Sequence, residues 1–233
     1  MLRKFRLPVF LILLTGACVA LIVSARNYLQ NALTDRSIIT GDPCRPPCWQ
    51  GIEPGITSGE QALNILGDLF IVDPGSIKPN GTLESSGVLW DYRLGGKRRD
   101  AGMHWTSGVV QEIRLGINFD LTVEEVIDHF GTPENVRVAG DGTPEFWYWL
   151  IILYYPEQGV EWIAYTEEYS NLIEPVTSVE VIHLYSAKSL EARIREIEET
   201  YSVDLDEDEF IPWEGYGDLT ELYLFVSMEK GSP

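Results

Sequence analysis

The stretch GINFDLTVEEVIDHFGTPENV, residues 116–136, decides how the rest of the chain is read. Thr122 and Glu125 stand in Thr-x-x-Glu spacing, the signature of a capping box. The hydroxyl accepts from the N3 amide, and the N3 carboxylate reaches back to the N-cap amide. Val126, Ile127 and Phe130 then form the apolar stripe of a short helix, which Gly131 and Pro133 stop. The same order occurs earlier, in GIEPGITSGEQALNILGDL from Gly51. Both stretches read Gly-Ile, four residues, Thr, two residues, Glu. Thr57 and Glu60 take the box positions, Ala62, Leu63, Ile65 and Leu66 the stripe, and Gly67 the stop.

Runs of strand character follow each helix. After the first come GVLWDYRL (87–94), AGMHW (101–105) and VVQEIRLGI (109–117). Val88, Trp90, Tyr92 and Leu94 alternate with Leu89, Asp91 and Arg93, as a half-buried strand requires. After the second come FWYWLIILYY (146–155), VEWIAY (160–165) and SVEVIHLY (178–185), the first two joined by the turn PEQG. Helices segregated from antiparallel strands mean an α+β fold, here two repeated helix-plus-strand units over residues 43–117 and 118–186. A C-terminal part, residues 187–233, adds the amphipathic helix SLEARIREIEETY, an acidic loop and a last strand, LTELYLFVS (219–227), packed on the second unit.

This layout resembles the SmpA/BamE-like lipoproteins and the β-lactamase-inhibitor-like secreted proteins. The likeness is carried by Gly116–Val136, chiefly LTVEEVIDHFGTPENV, with an echo at Gly51–Gly67. The resemblance implies an extracytoplasmic binding protein rather than an enzyme, and it transfers no binding residue. The apolar N-terminal stretch and the C-terminal extension depart from the pattern.

Residues 7–25, LPVFLILLTGACVALIVSA, carry no charge, and Arg3, Lys4 and Arg6 precede them. A bilayer core needs about 20 apolar residues, so the stretch suffices for an anchor with its N-terminus in the cytoplasm and the remainder outside. Two other fates stay open. Cleavage after Ala25 would make the protein secreted, and lipidation at Cys18, within the lipobox-like LTGAC, would make it a lipoprotein. Residues 26–42 read as a polar stalk. Beyond residue 25 the chain holds 14 Lys and Arg against 36 Asp and Glu, which excludes nucleic acid as a partner.

Export settles the reading of PCRPPCWQGI (43–52). Outside the cytoplasm a cysteine pair oxidises, so Cys44 and Cys48 are expected to form a disulfide. A zinc site needs about four ligands, and His104, His129 and His183 are scattered. Asp204, Asp206 and Asp208 have the spacing of the first calcium-loop ligands. Glu209 and Gly215, however, stand where that loop demands Gly and Glu, so these three are candidate metal ligands within a solvated acidic loop.

No G-x-S-x-G elbow, phosphate-binding loop or H-E-x-x-H helix is present, and no cofactor is expected. Candidate binding residues are Trp147 and Trp149, on one face of an aromatic strand, and Trp213 and Tyr216 in PWEGYGDL. The functional expectation is a membrane-tethered, non-enzymatic protein that binds or scaffolds a cell-envelope protein. The alternatives are an envelope hydrolase with paired carboxylates, and a ligand sensor with an aromatic strand face.

Overall fold

A computed structural model describes residues 15–22, 24–25, 35–81, 85–92, 100–143, 146–167, 170–201, 205 and 209–222. Residues 15–22 and 24–25 are helical (α1), with Cys18 exposed. Among the described residues no helix is long and apolar enough to cross a membrane. The other residues of the 7–25 stretch lie outside the described ones.

The body is α+β with a large antiparallel sheet. Its helices are α2 (Ser37–Thr40), α3 (Gly59–Asp68), α4 (Val123–Phe130), α5 (Leu190–Tyr201) and α6 (Leu219–Leu222). The first four strands are β1 (Lys78–Gly81), β2 (Ser85–Asp91), β3 (Asp100–Thr106) and β4 (Val109–Gly116). They are followed by β5 (Asn135–Thr143), β6 (Phe146–Tyr155), β7 (Val160–Tyr165) and β9 (Ser178–Tyr185). These eight form one sheet in the order β1-β2-β3-β4-β9-β7-β6-β5. Two four-stranded meanders therefore meet at their last strands, β4 and β9, which pair antiparallel from Glu112↔Tyr185 to Gly116↔Val181.

Each meander is preceded by a helix with a capping box, and each N-cap residue bridges the start of that meander's last strand. Ser58 bridges Val109, and Thr122 bridges Ser178. Thr122 and Glu125 make the box as the sequence predicts. In the first helix the box sits one residue further on, on Ser58 and Gln61. Thr57 instead accepts a hydrogen bond from Glu53 N at 2.8 Å, which tightens the turn before the helix.

Strand alternation divides the sheet into two faces. The inner face, carrying Val88, Trp90, Met103, Trp105, Ile113, Leu115, Ile151, Leu153, Trp162 and Leu184, packs against Ala62 and Leu66 of α3 and Val123 and Val126 of α4. Ile38 belongs to this core at 3 % exposure, so residues 35–42 fold with the body rather than extending the stalk. Trp49 is fully buried, stacks on Trp90 at 5.6 Å, and donates from Nε1 to Asp35 at 2.6 Å. The Cys44–Cys48 disulfide is formed. It holds Pro47 against the β6–β7 turn, where Gly159 (φ +66°) leaves no room for a Cβ between Pro47 and the Tyr185 carbonyl.

The outer face is divided unequally. On the second meander α5 lays Ile194 onto Ile152, Tyr154, Ile163 and Val181, with Phe210 beside them. The chain then returns along the edge strand, where Val136 and Ile211 exchange backbone hydrogen bonds and Arg137 pairs with Glu209 at 2.7 Å. It then reaches β10 (Gly217–Asp218), which pairs with β8 (Leu172–Ile173). Leu219–Leu222 is a helical turn with Leu219 in the inner core, not the start of the strand expected over 219–227. Residues 223–227 lie outside the described residues.

Candidate binding groove and the charge network behind it

On the first meander the outer face is uncovered among the described residues. The register Leu89↔Gly102↔Arg114 runs across it, with Leu89 and Arg114 exposed. Where this open half meets α5 there is a step, and at the step lies an open groove of about 630 Å³. His104, Thr106 and Gln111, from β3 and β4, form its floor; Ser186, Lys188 and Glu196 form the wall beside α5. The floor is polar because strand alternation turns Met103 and Trp105 inward and His104 and Thr106 outward. The turn below it is a two-residue hairpin, Ser107-Gly108, with both residues at positive φ (53° and 77°), as the twist of a tight hairpin demands.

Behind the wall is a buried charge network. Arg193 of α5 is 2 % exposed. Its Nε donates to Glu161 Oε1 at 2.6 Å, its Nη1 to Glu196 Oε2 at 2.8 Å and its Nη2 to Glu112 Oε2 at 3.2 Å. Its guanidinium also lies 4.0 Å from the centre of the Tyr185 ring. Burial opposes the arginine's charge, but Glu161 and Glu112 outweigh it and hold the guanidinium protonated. Glu196 Oε2 accepts from Arg193 and also pairs with Lys188 Nζ at 2.9 Å, so one oxygen joins the network to the groove wall. Burial works against its charge too, yet Lys188 and Arg193 hold its carboxyl below the usual range.

His183 of β9 lies beneath this arrangement. Its Nδ1 is 3.3 Å from Glu112 Oε1 and 3.7 Å from Glu161 Oε2, and its buried Nε2 meets no hydrogen-bond partner among the described residues. Burial lowers its pKa, and the two glutamates only partly restore it.

The chemistry of the groove is recognition by imidazole, hydroxyl, amide and a paired ammonium. Glu112 and Glu161 do converge, as a carboxylate-pair hydrolase would need, but they converge on Arg193 rather than on open space. Trp149 is 6 % exposed and faces the inner core, so it offers no open aromatic surface. The Trp147 side chain lies outside the described residues. Trp213 and Tyr216 meet edge to face at 5.5 Å; Trp213 packs on the inner core and Tyr216 is exposed. Asp204, Asp206 and Asp208 lie outside the described residues. Among the described residues no group of three potential ligands is placed to hold a metal ion.

Sequence reasoning passes over Glu112, Glu161, His183 and Arg193, which are spread along the chain. The signal they leave is phase. Glu161 and His183 are polar residues in strands that are otherwise strongly apolar, and Arg193 lies between Leu190 and Ile194 on the apolar stripe of its helix. No family model matches the chain, and neither a curated protein nor a solved structure matches it.

Proposed function

We propose that the protein is a membrane-tethered, extracytoplasmic binding module that presents the groove on β3 and β4 to a protein partner in the cell envelope. The observation that carries this is the unequal outer face. Among the described residues, α5 covers one half of the outer face of a continuous sheet and none covers the other half, with a polar groove at the boundary. A sheet face left uncovered beside a wall of polar side chains is a surface suited to a partner. The tether is the uncharged stretch 7–25, with the basic cluster before it in the cytoplasm, and the disulfide supports an oxidising compartment. The likeness in layout to SmpA/BamE-like and β-lactamase-inhibitor-like proteins belongs to the same proposal. It is supported by two capped helices, each tied to the last strand of its own meander.

The test is affinity capture with the full chain in nanodiscs, run in parallel with the variants Thr106→Arg and Gln111→Arg, which fill the groove without touching the core. A single envelope protein retained by the wild type through moderate salt and lost by both variants supports the groove as the contact. Retention unchanged by both variants would remove the groove from the function.

A further inference from the structure

The outer face of the second meander carries the apolar cluster Ile152, Tyr154, Ile163 and Val181, and α5 covers it through a charge network as well as through apolar contact. Among the described side chains of α5, Ile194 is in the buried outer cluster and Leu190 packs beside it. Next to it, Arg193 threads between carboxylates from three elements: β4, β7 and α5 itself. A buried ion pair is costly to leave half-made, so whatever disturbs one member loosens the whole contact.

His183 is the member whose ordinary pKa, about 6.5, lies nearest neutrality, and burial moves it downward from there. The charged groups acting on it are Glu112 and Arg114 of β4, Glu161 of β7 and Arg193 of α5, with Glu196 reached through Arg193 and Lys188 through Glu196. In the neutral ring one nitrogen carries a proton, and Nδ1, facing Glu112, is the one with an acceptor nearby. A second proton must then enter at Nε2, which is sealed from solvent and has no acceptor among the described residues. Protonation inside the closed structure would create an unsatisfied buried N–H and a cation close to Arg193. Moving α5 away opens this site to water and removes both costs.

We propose that α5 is a proton-operated cover: uptake of one proton by His183 releases α5 from the outer face and exposes Ile152, Tyr154, Ile163 and Val181. The same movement takes Glu196 out of the groove wall and breaks its pair with Lys188, so the groove and the covered face change together. The cover is a property of the fold and holds whether or not the groove binds an envelope protein.

The sign of the effect follows from linkage. Burial depresses the His183 pKa in the closed state below its usual value of about 6.5, so the open state binds more protons below that pH. The closed state is at full strength above about pH 6.5 and weakens as pH falls toward the depressed value, by at most about tenfold in equilibrium constant per pH unit for one proton.

The experiment is hydrogen exchange of the full chain in nanodiscs at pH 7.5 and pH 5.0, corrected for intrinsic rates. The amides of residues 190–201 should lose protection by about fivefold or more at the lower pH, while those of 123–130 on the inner face stay unchanged. His183→Gln, which cannot take up the proton, should make protection of 190–201 the same at both values. Equal wild-type protection at both values, or a loss that persists in His183→Gln, would overturn the proposal. Should that variant not fold, NMR titration of wild-type His183 decides: titration below 6.5 in step with α5 exchange supports the cover, and titration at or above 6.5 overturns it.

Discussion

Arg193 Nε lies 2.6 Å from Glu161 Oε1, and both side chains are less than 5 % exposed. Their residues are 32 apart in sequence, on a helix and on a strand of the sheet it covers. Removing one member should therefore cost far more than removing both. Arg193→Met leaves Glu161 and Glu112 without their cation and should lower stability by about 3 kcal/mol. Glu161→Leu with Arg193→Met should recover at least half of that loss, because the desolvation penalty goes with the charges. Urea denaturation of the two single variants and the double variant checks it. A double variant as unstable as the sum of the singles would show that packing, not charge, makes the contact.

The capping boxes give a sharper test of local structure. Ser58→Ala and Thr122→Ala each remove the acceptor for an N3 amide and should cost about 1 kcal/mol. Glu60→Ala should leave stability within about 0.5 kcal/mol, since Gln61 fills the box. A larger loss from Glu60→Ala than from Ser58→Ala would move the helix start back to the residues the sequence pattern suggests.

That one-residue shift shows what the chain discloses and what it hides. Strands β6, β7 and β9 run over the residues their patterns predict, because long apolar or alternating runs bounded by turns leave few other readings. Edge strand β5, NVRVAGDGT, carries two glycines and is not among the strands the pattern predicts; it pairs with β6 over nine consecutive residues. Thr57 and Ser58 are both competent caps, and the choice between them is made by tertiary structure. Ser58 bridges Val109, and Gly59 then lies flat on the Trp105 ring. The groove is hidden for the same reason, since its floor and wall come from residues that only the β4–β9 junction and the docking of α5 bring together.

Gly59 makes this dependence measurable. A Cβ there would stand 2.9–3.1 Å from three atoms of the Trp105 indole, which is fully packed in the core. Gly59→Ala gains helix propensity worth about 1 kcal/mol. It also forces the indole or the helix to move, at about 1–3 kcal/mol. The net change should be destabilising, with an altered Trp105 environment visible in near-ultraviolet circular dichroism. A stabilised variant would mean that the helix start is free to slide, and that contact with Trp105 does not set its register.

The disulfide has a consequence away from its own loop. Cys44 and Cys48 close a ring of five residues, for which loop entropy predicts about 2 kcal/mol of stabilisation. The loop it closes also sets Pro47 within 3.0 Å of where a Cβ on Gly159 would stand, so it packs the entry of the first meander against a turn of the second. Replacing both cysteines by serine should thus lower global stability by about 2 kcal/mol and also raise hydrogen exchange at the β6–β7 turn, residues 156–159. If stability falls while exchange at that turn is unchanged, the staple acts on the unfolded chain alone. If both move together, the disulfide fixes how the two meanders are joined on the inner side, opposite the face that α5 covers.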